Sequence, residues 1–292
     1  MTLSQLPRGH EPRGHEPRGH EPRGHEPRGH EPRGHEPLDP GQYAAQIEAS
    51  AAILGALVDE GDPALPIPTC PDWTLRELAI HVGRAHRWAA AIAATRSAEF
   101  IPFRSLADGR FPDDPAQRAP WLMAGARRAI SAIADAGDDP VWAFGELVPA
   151  HFWGRRMCHE TLVHAADGLL AAGRRPDIAP RVAADGIDEW LTVTSGPLNG
   201  RPDPRAAALP EGRVLHVHAT DEGLDGSGEW LISHDPDGVA VRPGHGKGDA
   251  ALTGPAAALL LVLLRRMPAD DSAVTLFGDR ALLARWLAET SF

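Results

Sequence analysis

Lysine is nearly absent from this chain: it occurs once, at Lys247, against a net charge of −11. Sequence-independent nucleic-acid binding needs a concentrated basic surface, so that class of function is excluded, although a local basic pocket is not. Cysteine is scarce too. Cys70 and Cys158 are the only two, they form no C-x-x-C pair, and they give no disulfide framework. Both read as small buried hydrophobes. No apolar run approaches the roughly 18 residues a membrane span needs. The longest, Ala256 to Leu264, suits a buried core helix. The opening MTLSQLPRGHEP has no apolar centre of the signal-peptide kind, so a cytoplasmic location is the expectation.

What is present is ordinary in bulk and unusual in one place. The chain has 292 residues, 42% of them hydrophobic, enough for two modest domains. Residues 7–36 are six perfect copies of Pro-Arg-Gly-His-Glu. Pro and Gly in every copy break regular structure, and nothing apolar is available to bury. Residues 1–39 are therefore expected to be a disordered tail, an expanded repeat whose histidines could bind metal only weakly.

Beyond the tail, helical spacing dominates the first half. Ile47, Ala51, Leu54 and Leu57 mark a helix over 43–60. Thr74, with Glu77 three residues on, has the capping-box spacing. It starts a second helix whose buried stripe is Leu75, Leu78, Ala79, Val82 and Ala85. A third helix is expected over 116–136, a break over 137–149, a fourth helix over 152–172 and a fifth over 183–193. The pattern then changes to alternation. RVLHVHAT (213–220) is a strand, 229–234 and 238–241 form a hairpin, and 250–253 and 273–277 are short strands. Helices are expected over 254–266 and 279–289. Helices first and a mixed sheet second imply a bundle over 40–200 and an α+β domain over 205–292, joined in the Pro/Gly-rich loop 196–211.

The chemistry concentrates on the fourth helix. Glu160 and His164 are four residues apart and share one helical face, so both can reach one ion. His159 points about 100° away and does not join them. A third ligand must come from another helix, and His81, amid the apolar AIHVG, is a candidate. Two imidazoles and a carboxylate leave an open position, as catalytic zinc sites do, and also suit iron, nickel or manganese. Asp167, seven residues after Glu160, is placed to orient a ligand. On spacing alone a chance E-x-x-x-H pair and a core histidine remain open.

Two segments add to this. PTCPDWTLRELAIHVGRAHRWA (68–89) and RRMCHETLVHAADG (155–168) resemble the signatures of mycothiol-dependent maleylpyruvate isomerase-like proteins, a family numerous in actinobacteria. These belong to the DinB-like superfamily of metal-binding four-helix bundles. DAALTGPAAALLLVLLRRM (249–267) with VTLFGDRALLARWL (274–287) is similar to that family's sterol-carrier-protein-like C-terminal domain. The resemblance covers roughly residues 40–292. It implies His81, Glu160 and His164 as the metal ligands, a divalent ion with zinc foremost, and the thiol mycothiol as cosubstrate. It implies a thiol transferase or isomerase acting on a small electrophile, as monomer or homodimer, with no nucleic-acid or membrane partner. Arg84, Arg155, Arg156 and Arg265 or Arg266 are candidates to hold an anionic substrate or the thiol, with Arg84, Arg156 and Arg266 taken as the catalytic set. Cys158 inherits no family role. The alternative is a non-catalytic binding module with a structural metal.

Other signals are weaker. PGHGKGD (243–249) lacks the G-x-x-x-x-G-K-[ST] spacing of a phosphate loop and reads as a connection between strands. His216 and His218 alternate onto one side of a strand and could ligate a metal, but a solvated strand face explains them equally well. No G-x-S-x-G elbow supports a serine triad.

Overall fold

The computed structural model describes residues 36–106, 108–194, 203–224 and 227–290. The expectation for the repeat tail lies outside them. Asp39 starts α1 (Pro40–Glu60): its carboxylate accepts from the Gln42 N–H while the Gln42 side chain accepts from the Asp39 N–H. Thr74 and Glu77 make the same reciprocal cap for α2 (Leu75–Thr95), as their spacing implies. Both caps satisfy N–H groups that a helix start leaves without partners. α3 (Arg118–Ala136) and α4 (Phe152–Ala171) complete a bundle in which α1 and α2 each pack on α3 and α4. Ile47, Ala51, Leu54, Leu78 and Val82 are buried inside it, from the helical stripes read from the sequence, together with Leu122 and Ala126 of α3.

The expected break over 137–149 is instead a hairpin. β1 (Pro140–Ala143) and β2 (Glu146–Pro149) pair antiparallel across a two-residue turn, with Phe144 and Gly145 both at positive φ. Each strand has four residues, too short for alternation to announce it. Its Val141 and Ala143 are buried against the bundle.

α5 (Pro180–Glu189) begins three residues earlier than expected, at a proline suited to a first helical turn, and ends in a wider turn over Trp190–Thr194. Ala183 and Ile187 of α5 share a core with the sheet half, while its Asp185 bonds to groups of the bundle. A short helix α6 (Pro204–Ala208), capped by Asp203, stands inside the region expected to be loop. Its one turn packs on α8 (Arg280–Glu289).

The sheet runs β3 (Val214–Ala219), β4 (Glu229–Asp235), β5 (Gly238–Pro243), β6 (Ala250–Gly254) and β7 (Thr275–Gly278), in spatial order β5-β4-β3-β6-β7. Among the described residues only the β3–β6 pair of this sheet is parallel. Leu215, Val217, Trp230, Ile232 and Leu252 face a core shared with α7 (Ala256–Leu263) and Trp286 of α8. α7 is shorter than the expected 254–266: Gly254 ends β6, and Arg265 turns to φ 59°, the left-handed region in which a helix cannot continue. Among the described residues no helix is long and apolar enough to cross a membrane.

Candidate metal centre

α2 and α4 lie side by side and bring His81 to Glu160 and His164. One donor atom from each, an imidazole nitrogen or a carboxylate oxygen, falls within 4.8 Å of the others. His81 Nε2 is 2.7 Å from Glu160 Oε1, and His164 Nε2 is 3.5 Å from the same oxygen. Both imidazoles therefore aim a nitrogen at one point beside the carboxylate. The indole of Trp73 lies over the pair, 4.8 Å from the His81 ring and 5.9 Å from that of His164.

The other nitrogen of His164 is committed elsewhere. Its Nδ1–H donates to Asp167 Oδ2 at 2.9 Å, one turn along α4. That contact orients the ring and leaves Nε2 to face Glu160, the arrangement by which a carboxylate fixes a metal-binding histidine. Asp167 is fully buried. It also accepts from Thr69 Oγ1 at 2.6 Å, from Cys70 Sγ at 3.4 Å, and from Arg266 Nε and Nη2, each at 3.0 Å. Burial alone would raise its carboxyl, but His164 and Arg266 hold it below the usual carboxylate range. Burial would also raise Glu160, yet hydrogen bonds from His164 and His81 and the charge of Arg156 keep it well below its ordinary value. His164 is the mirror case: burial would lower it, and its bonds to Asp167, Cys70 and Glu160 hold it well above.

The arginines separate by what they touch. Arg156 donates to Glu160 Oε2 at 3.0 Å and to Glu189 of α5, and it lines the cavity beside the histidines. Arg266 lines the same cavity, clamped on Asp167. Arg84 is more exposed: its Nε donates to the Gly109 carbonyl at 3.0 Å, and it borders a neighbouring cavity. Arg155 is turned away, holding Asp185 Oδ1 at 2.8 Å and Asp188 Oδ2 at 3.0 Å. His159 points as its helical angle requires, to Asp185 Oδ1 at 2.7 Å.

Two cavities meet at the ligands. One, of about 430 Å³, has Cys70, Arg156, Leu260, Leu263 and Arg266 in its walls. The other, of about 510 Å³, is walled by Trp88, Phe103, Phe144 and Trp153. His81, Glu160 and Trp73 border both. Sequence reasoning missed Cys70, which stands half-buried at the site rather than in the core. It also missed the role of α7, whose apolar run supplies Leu260 and Leu263 as cavity wall. The signal for Cys70 was its place in PTCPDW, five residues before the α2 start.

Family models for the N-terminal and C-terminal domains of mycothiol maleylpyruvate isomerase match residues 43–167 and 181–285. The chain belongs to this family. The crystal structure of the mycothiol-dependent maleylpyruvate isomerase shares 16% sequence identity with it and matches at a TM-score of 0.52, covering 82% of this chain and 93% of that one. A histidine-to-alanine mutant of that enzyme matches at 15% identity with the same TM-score and coverage. At such identities the likeness establishes the maleylpyruvate isomerase fold and no more. No curated protein sequence matches the chain.

Proposed function

We propose that this protein is a metal-dependent enzyme that uses mycothiol on a small electrophile, as an isomerase or an S-transferase. One observation carries the reading. His81, Glu160 and His164 converge within 4.8 Å at a cavity wall, with His164 held by Asp167 so that its Nε2 faces the other two. The donor set fits a divalent ion, zinc foremost, and leaves a position open toward the cavities. Such an ion, when bound, lowers the pKa of a thiol and stabilises it as thiolate.

The chain's own groups do the rest. Asp167 keeps the His164 ring in one tautomer. Arg156 and Arg266 put positive charge on the wall where an anionic substrate or the thiol cosubstrate would lie, and Arg84 marks the rim of the aromatic cavity. Trp73, Trp88 and Trp153 exclude water, which strengthens every charge contact inside. With an activated double bond as substrate, thiolate addition makes a carbon–sulfur bond and leaves a rotatable single bond. Elimination restores the double bond and returns the thiolate in an isomerase. Protonation of the adduct keeps the sulfur in a transferase. The chain is read as a tail (1–39), a metal-binding bundle (40–200) and a C-terminal α+β domain (205–292), with α5 at the join.

The test is turnover with mycothiol, taking maleylpyruvate as the first electrophile because the structural relative is named for it. His81→Ala should lower turnover by about 100-fold or more while the fold persists. Turnover unchanged in His81→Ala contradicts the reading. Unfolding on metal removal with no thiol dependence supports the alternative of a structural metal.

A further inference from the structure

The sheet half carries another group of metal-binding side chains. His216 and His218 lie on β3 with their side chains on the face opposite Leu215 and Val217, as strand alternation requires. The β3–β4 register sets Glu229 directly across from His218 and diagonal to His216. Glu229 Oε2 is 2.9 Å from His216 Nε2 and 2.7 Å from His245 Nδ1, while His218 Nε2 is 3.9 Å from Oε1. The three rings pack around the carboxylate with centroids 5.2 to 6.1 Å apart.

His245 reaches this face because the loop after β5 lies flat on the sheet. The Gly244 N–H donates to the Glu229 carbonyl at 3.0 Å. A Cβ on Gly246 would stand 2.7 Å from Leu231 Cδ1, and one on Gly248 would stand 2.6 Å from the Ala250 carbonyl oxygen. Only glycines allow so close a run. The segment PGHGKGD, which has no phosphate-loop spacing, thus serves to lay a histidine over a glutamate.

We propose that His216, Glu229 and His245 bind a divalent transition metal, with His218 as a fourth ligand. One donor atom from each of the first three already lies within 4.8 Å of the others. Among the described residues every ion-pair partner of Glu229 is a histidine. With neutral rings the carboxylate has no cation, and a divalent ion supplies it. Tetrahedral ligands about 2.0 Å from zinc stand about 3.3 Å apart, so the contacts to Glu229 need open by only about half an ångström. Three imidazoles and one carboxylate select zinc, nickel, copper or cobalt over magnesium and calcium. Four protein ligands close the coordination sphere, so this ion clips the loop to β3 and β4 and does no chemistry.

The probe is Zn²⁺ on the full-length chain, measured by equilibrium dialysis and thermal unfolding. The proposed bundle site and the six tail histidines are competing places for Zn²⁺, so every comparison is made in wild type and in His81→Ala. The paired substitution His216→Asn/His245→Ala should remove one bound equivalent in both backgrounds and abolish part of the zinc-induced rise in Tm. His245→Ala alone, at an exposed position, keeps the fold and should weaken that equivalent at least about tenfold, so the test survives if the paired variant fails to fold. Binding isotherms of folded His245→Ala that superimpose on those of the parent overturn the proposal. Loss of the equivalent in His81→Ala alone bears on the bundle site and not on this one.

Discussion

The helical half and the sheet half each gather two histidines around a glutamate, but they surround that trio differently. In the bundle, Asp167 is buried behind His164 and is itself fixed by Arg266, Thr69 and Cys70. In the sheet, His245 is 74% exposed, and among the described residues no carboxylate other than Glu229 pairs with the rings. The bundle trio opens on cavities with arginine in their walls, whereas the sheet trio lies under a glycine loop. On the two proposals, the contrast would separate a site that keeps a position open for a reactant from one that ties backbone together. Ligand identity alone does not distinguish them; what stands behind the ligands does.

The largest effect is expected on removing what stands behind. Asp167→Ala leaves the Arg266 guanidinium, which is largely buried, without its partner, and frees the His164 ring. It should destabilise the metal-free protein by about 3–5 kcal/mol. Asp167→Asn, which keeps the shape, should lower metal affinity at the bundle site about 10–100-fold. Urea denaturation and metal titration read the two separately. If both are unchanged, the bundle trio has no supporting layer and the contrast fails. The matching change in the sheet should be small. Glu229→Gln in metal-free protein should cost less than Asp167→Ala, about 1 kcal/mol by the same denaturation assay, because two of its three histidine partners, His218 and His245, are partly or largely exposed and only His216 is buried. A loss as large as that of Asp167→Ala would erase the difference between the two halves.

How much of this was legible in the sequence follows the range of each signal. The Thr74 cap, the stripes of α1 and α2 and the shared face of Glu160 and His164 are local periodicities, and they appear as read. His81 was only a candidate from its place in AIHVG until the resemblance singled it out, because helical spacing does not say which helix lies opposite. The hairpin β1–β2 was missed because four-residue strands carry no usable alternation, and the first residue of its turn at positive φ is Phe144, with Gly145 only second. Asp185 was missed because its partners Leu38, Tyr43, Arg155 and His159 come together only when α5 docks. The His216–His218 pair was visible on its strand. Glu229 and His245 were not, since a strand register and a loop path set their distance, and neither is written in local pattern.

The central claim is that the bundle trio holds an ion with a position open to a thiol. It is tested most directly by loading the full-length protein with Co²⁺ and adding mycothiol while recording its absorption spectrum. The account expects a sulfur-to-cobalt charge-transfer band that saturates near one thiol per chain, is absent in His81→Ala and persists in His245→Ala. A spectrum that mycothiol leaves unchanged, or a band that survives in folded His81→Ala, would contradict it.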